Sequence, residues 1–270
     1  MKTLLGLAAG LALGLGALRT EAKPQRIASL NLCADQLVLE LVEPERIASV
    51  SWLSRDATHS ANAEAARRVP VNYGRAEEII PQKPDLVLVG RLTAMGATAA
   101  LRRLGARVEV VGQPKDIPAI RDEILAAGRL FGEEERAEKI VAGLDRRLAA
   151  LPVPSEPRPS AALLRPNGMT AGPGSLVDSL LAVAGFANFA ASRGLDRMER
   201  LPLEVLIAGR PDILVIDERD FGAPSLAQAY QSLPAVRRTT PKSVVIPSWA
   251  WTCAGSAVAE AAERLAAARL

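Results

Sequence analysis

Histidine occurs once and cysteine twice in this 270-residue chain, and aromatic residues make up only 3% of it. The single His59 sits in the polar stretch 56-DATHSAN-62, so a metal site built on several imidazoles is poorly supported. There is no C-x-x-C pair, which removes a thioredoxin-like redox motif. An excess of one charge is also missing: 33 Lys and Arg face 30 Asp and Glu, interspersed, for a net charge of +3. That balance is not the footprint of a nucleic-acid binder.

A long apolar run is lacking as well. Leu4 to Ala17 is uncharged, but Lys2 precedes it and Arg19 closes it, short of the roughly 20 residues a spanning helix needs. With small Ala22 behind it, the segment 1–22 reads as an export signal. Its removal takes away Lys2, Arg19 and Glu21 and leaves a net charge of +2. No cysteine directly follows the run, so the expectation is a free, soluble product starting near Lys23 rather than a lipid-anchored one. An exported chain enters an oxidising compartment, where Cys33 and Cys253 are chemically able to pair.

What is present is an alternation of apolar runs and amphipathic segments. Strands are expected at 26-RIASL-30, 46-RIASV-50, 84-PDLVLVG-90 and 107-RVEVV-111, with helices at about 35–42 and 93–104. From Asp116 to Leu151, Ile120, Ile124, Ile140, Leu144 and Leu148 recur at helical spacing, with Gly128 and Gly132 as weak points. The four prolines of 152-PVPSEPRP-159 exclude helix and mark a boundary. The second half repeats the plan: strands 160-SAALL-164, 212-DILVID-217 and 243-SVVIP-247, and helices at about 176–184, 226–230 and 254–269. Two α/β lobes follow. Ligands of such sheets bind beyond the carboxyl ends of the strands, so the loops beginning at Asn31, Ser51, Arg91, Arg165 and Ser248 should face one cleft.

The halves share a short element. In 77-EEIIPQKPDLVLVG-90 and 204-EVLIAGRPDILVID-217, a Glu precedes an apolar helical turn, a basic residue, Pro-Asp and an apolar strand, with the same spacing from Glu77 to Asp85 as from Glu204 to Asp212. Each residue type suits a helix-turn-strand junction: Glu at the helix start, a basic residue at its end, Pro to stop it. That local reading leaves the equal spacing unexplained.

With this element, the opening 26-RIASLNLCADQL-37, the loop 170-TAGPGSLVDSLLAVAGFANF-189 and 203-LEVLIAGRPDILV-215, the chain resembles the periplasmic solute-binding proteins of ABC importers for ferric siderophores, haem and vitamin B12. The resemblance implies an α/β fold with two Rossmann-like lobes, 23–115 and 152–270, joined by a single long helix over 116–151, with a ligand cleft between the lobes. It further implies a monomeric periplasmic receptor without catalytic activity, modest lobe motion, and a permease and its ATPase as partners. Glu77 and Glu204 match the glutamates that dock onto permease arginines in that family. The ligand would be a metal chelate, with no intrinsic cofactor and no direct metal site.

Candidate ligand contacts are Trp52, Tyr73, Arg75, Arg91, Arg165, Trp249 and Trp251, all in strand-end loops. Their rings offer area for a macrocycle or catecholate face, and the guanidinium groups can pair with acidic oxygens. Cobalamin or haem is the alternative ligand. For Cys33 and Cys253 three readings stay open: small buried or half-buried residues, a disulfide linking the lobes, or a pair that contacts metal or ligand. A secreted enzyme with a cysteine nucleophile is a weaker rival, because His59 would have to serve as its base from a loop.

Overall fold

The structure is a computed structural model that describes residues 22–154, 156–218, 233–240 and 242–269. The export signal and the helix expected at 226–230 fall outside these residues, apart from Ala22. Among the described residues no helix is long and apolar enough to cross a membrane.

The first lobe is a parallel sheet of β1 (Ile27–Ser29), β2 (Ile47–Ser51), β3 (Val71–Asn72), β4 (Leu86–Gly90) and β5 (Val108–Val111), in the order β3-β2-β1-β4-β5. Helix α1 (Leu32–Leu41) begins earlier than the periodicity predicted, because Asn31 caps it: its side-chain oxygen accepts from the Cys33 and Ala34 amides at 3.0 and 3.2 Å. The short α2 (Ala63–Ala66) and α3 (Ala76–Ile79) follow, and α4 (Met95–Arg103) crosses from β4 to β5.

The helix expected over 116–151 is two helices, α5 (Ile117–Phe131) and α6 (Glu134–Ala149), folded back on each other. Gly132 ends α5 with φ +66°, a left-handed conformation that costs glycine nothing. Gly128 lets the chains close up, since a Cβ there would overlap Ala137. An ion pair at 2.6 Å between Arg121 and Asp145 ties the far ends of this hairpin. The bridge between the lobes is therefore α5, which packs against α1 of the first lobe and α7 (Leu176–Val183) of the second. Helix α6 lies against the terminal helix Val258–Arg269, with Arg147 paired to Glu263 at 2.7 Å.

The second lobe holds β6 (Ser160–Leu164), β8 (Ala187–Asn188), β10 (Ile213–Glu218) and β11 (Ser243–Pro247), all parallel, in the order β11-β10-β6-β8. A separate antiparallel ladder joins β7 (Met169–Thr170) to β9 (Glu199–Arg200). Helices α8 (Phe189–Ser192) and α9 (Leu203–Gly209) lie between β8 and β10. One continuous apolar core includes Ile27 and Leu37 of the first lobe, Ile120 and Phe131 of the bridge, and Leu163, Leu180 and Trp251 of the second. A core shared in this way resists wide separation of the lobes.

Candidate ligand-binding cleft

In each sheet the strand order reverses once, and that point opens a crevice beyond the strand ends. In the first lobe it falls between β1 and β4, followed by Asn31 and by Gly90 to Thr93. In the second it falls between β6 and β10, where Arg165 and Asp217 stand.

The first-lobe crevice is a cavity of about 590 Å³, whose lining includes Asn31, Cys33, Arg91, Thr93 and Gln113. Asn31 donates to the Thr93 hydroxyl at 3.2 Å, and the Gly90 amide donates to the same oxygen at 3.1 Å. Gly90 leaves room for this pair, since a Cβ there would lie 2.5 Å from the Asn31 side-chain nitrogen and 2.7 Å from the Thr93 hydroxyl and would displace both side chains. The second-lobe crevice is a cavity of about 230 Å³, with Lys115, Arg165, Ser175, Met198 and Trp251 in its wall. Gln113 and Arg197 belong to both cavities and join them.

Charge in this cleft has one sign. Arg91, Lys115, Arg165 and Arg197 line it, and neither cavity has an Asp or Glu among its described lining residues. The Arg165 Nε is 3.0 Å from the fully buried Asp217 carboxylate, which also accepts from the Ser248 hydroxyl and, at 3.2 Å, from the Trp251 indole nitrogen. The guanidinium lies 5.9 Å from the centre of the Trp251 ring. A charge pinned by a buried partner and an aromatic face keeps its place in the cleft wall.

Of the aromatic candidates, Trp251 is only 2% exposed and acts as a support for Arg165, while Trp249 is half-buried against the core. Trp52 and Tyr73 are 47% and 64% exposed and stack with ring centres 6.2 Å apart. They follow β2 and β3, on the outer side of the first sheet, and do not line the two cavities. Their loops border the cleft rim, since Gly74 approaches Ala94 in the segment after β4. Arg75 is exposed on the same loop.

The Trp52 turn is anchored from below. Asp35, fully buried in the first turn of α1, accepts from the Ser51 amide at 3.2 Å, from the Ser54 hydroxyl at 2.6 Å and from the Ser51 hydroxyl. Burial pushes its carboxyl up to about 6, against the opposing pull of these donors.

Cys33 and Cys253 form a disulfide, with Cα atoms 4.8 Å apart. Two helical turns further along α1, the Glu40 carboxylate accepts from the Ser256 amide and hydroxyl, both at 3.1 Å. Burial raises the Glu40 pKa. The segment after β11 thus crosses to α1 and is fixed there twice, at the floor of the cleft. His59 is half-buried in its loop, with Nδ1 3.1 Å from the Thr58 hydroxyl.

The repeated Glu and Pro-Asp element has two layers. Asp85 accepts from the Gln25 and Arg26 amides at 2.6 and 2.9 Å, and Asp212 from the Ser160 amide at 2.7 Å, so each aspartate holds the start of its lobe's central strand. The preceding Lys83 and Arg210 are both left-handed, at φ +49° and +43°. Glu77 and Glu204, by contrast, are exposed in the first turns of α3 and α9 and form no ion pair among the described residues.

Comparison with known proteins agrees with this geometry. A sequence profile of the family described as periplasmic binding protein matches residues 27–240. The chain belongs to that family. A cobalamin-binding protein of Halobacterium salinarum is 24% identical over 229 residues, covering 83% of this family member and 62% of the relative. The chain therefore spans less than two thirds of the curated relative it matches. The apo periplasmic heme-binding protein RhuT from Roseiflexus sp. RS-1 superposes with a TM-score of 0.71 at 22% identity, over 91% of this chain and 99% of that one. An ABC-type Fe3+-hydroxamate transport system protein from Saccharomonospora viridis gives 0.68 at 25% identity, over 91% and 93%.

Sequence reasoning located Arg91 and Arg165 by the strand-end rule but missed Lys115, Arg197 and Asp217. Asp217 was legible in hindsight as an acid at the carboxyl end of an apolar strand, whereas nothing in 193-RGLDRMER-200 distinguishes Arg197 from its charged neighbours.

Proposed function

We propose that this protein is the periplasmic receptor of an ABC importer, capturing an anionic ferric siderophore or similar iron chelate and delivering it to the permease and its ATPase. The observation that carries the reading is the cleft itself, lined by four cationic side chains and no acidic one among the described residues. Arginine forks and a lysine in a partly desolvated groove favour carboxylate or catecholate oxygens over neutral surfaces. The protein works as a monomer after removal of residues 1–22, binds without turnover, and carries no cofactor of its own. With both sulfurs in a disulfide, neither cysteine is a free nucleophile.

Haem or cobalamin is the second reading, supported by the exposed Trp52–Tyr73 stack, which offers a flat apolar surface at the rim. Tryptophan fluorescence of the mature protein, titrated with ferric citrate, ferric catecholate and hydroxamate chelates, haemin and cobalamin, separates the two. The expected result is saturable quenching by an acidic iron chelate at about micromolar concentration or below, the usual range of specific binding. Silence across the panel would overturn the receptor reading, and a response to cobalamin or haemin alone would replace the ligand.

Glu77 and Glu204 are the docking carboxylates, exposed, without an ion pair among the described residues and suited to paired basic sockets. Replacing both by Ala should abolish uptake in cells and leave chelate affinity unchanged; an equal loss of affinity would remove them from this role.

A further inference from the structure

The short strap Leu195–Leu201 is laid across the second-lobe loop that follows β6. Strand β9 pairs with β7, the Leu201 amide donates to the Gly168 carbonyl at 2.9 Å, and the Gly172 amide donates to the Asp196 and Arg197 carbonyls at 3.2 and 3.3 Å. The approach at Gly172 is so close that a Cβ there would overlap the carbonyl oxygens of Leu195 and Asp196, both rigid backbone atoms. Asp196 is turned by its own bond, its amide donating to the Glu199 carboxylate at 2.8 Å. The outcome of this packing is the placement of one side chain. Arg197 is exposed, lines both cavities, and makes no ion pair among the described residues.

We propose that Arg197 is the specificity-determining residue of the cleft, reading an acidic oxygen of the ligand at the junction of the two cavities, and that Gly172 is the positioning residue that puts it there. The proposal rests on the receptor reading above and narrows it to chelates with a net negative charge. Arg165 is already committed to Asp217, whereas the Arg197 guanidinium reaches the cleft with no protein carboxylate on it among the described residues. A bound anion supplies that partner, and a neutral chelate of the same size does not.

Two iron chelates of matched donor number separate charge from shape: a ferric tris-catecholate, which is anionic, and a ferric tris-hydroxamate, which is neutral. In titrations of the mature protein, Arg197→Ala should weaken the catecholate complex about tenfold or more, a loss typical of a charge-assisted contact, and change the hydroxamate complex by less than about twofold. Arg197→Lys should restore part of the preference. Gly172→Ala should reproduce the Arg197→Ala selectivity, and the double variant should be no worse than Arg197→Ala alone, because both changes remove one interaction. Additive losses, or equal weakening of both chelates by Arg197→Ala, would overturn the proposal while leaving the receptor reading intact. Tighter binding of the hydroxamate by the unaltered protein would do the same. Failure of both chelates to bind would overturn the proposal too, and the receptor reading would fall with it only if ferric citrate, haemin and cobalamin were silent as well. Arg197→Ala alters only an exposed side chain, so its result stands even where Gly172→Ala fails to fold.

Discussion

Asp35 is an acid placed where an acid is expensive. It is fully buried, its carboxylate meets three donors from Ser51 and Ser54, and no basic side chain pairs with it among the described residues. The two serines bracket Trp52, so the turn that presents this ring rests on the carboxylate. Burial lifts the Asp35 pKa from 3.8 to about 6, so the native state holds this proton more tightly than the unfolded chain does. Stability from this group is fully present below the unfolded value and is lost as pH rises through the native one, a loss of about 3 kcal/mol. Asp35→Asn should flatten the pH dependence of urea unfolding between about pH 4 and pH 6 and leave the protein at least as stable at pH 7. An unchanged slope in that window would assign the titration to another group. The same residue illustrates a limit of sequence reading: nothing in the sequence assigns Asp35 a role beyond the start of a helix, since its depth depends on how α1 packs behind β2.

At the level of elements, the long parallel strands were legible because buried strands leave continuous apolar runs, as in 84-PDLVLVG-90 and 212-DILVID-217. Strands β3, β7, β8 and β9 have two residues each, too short for any period to register. The hairpin of α5 and α6 looked like one helix because both members turn an apolar face to the same core, so the helical period continues across the reversal. Only the two glycines signalled the break, and a glycine inside a periodic segment is ambiguous until its conformation is known. The cleft followed from topology. Asn31, Arg91 and Arg165 come to line it because strand ends converge there; Trp251, also just beyond a strand, contributes to the wall while its indole N–H is given to Asp217 beneath. A buried hydrogen bond decides this orientation, and the partner of Trp251 is 34 residues away in the chain.

At the scale of the whole molecule, the lobes are held at one place by three means. The α5 bridge shares its core with both, Cys33 is bonded to Cys253, and Glu40 accepts from Ser256 on the same helix. Cys33 also lines the larger cavity, so the covalent tie forms part of the cleft floor, and any opening must pivot about it. The bond closes a loop across 220 residues, for which chain entropy estimates a stabilisation of about 5 kcal/mol through the unfolded state. Reduction, or Cys33→Ser with Cys253→Ser, should therefore lower the urea midpoint strongly. It should also speed chelate release, because a floor that can spread holds both walls less firmly against the ligand. X-ray scattering of the oxidised protein should show the same radius of gyration with and without chelate, and the double serine variant a larger radius without it. A variant that keeps the oxidised radius and release rate would make the disulfide a stabiliser of the fold alone, and the constancy of cleft width would then fall to α5.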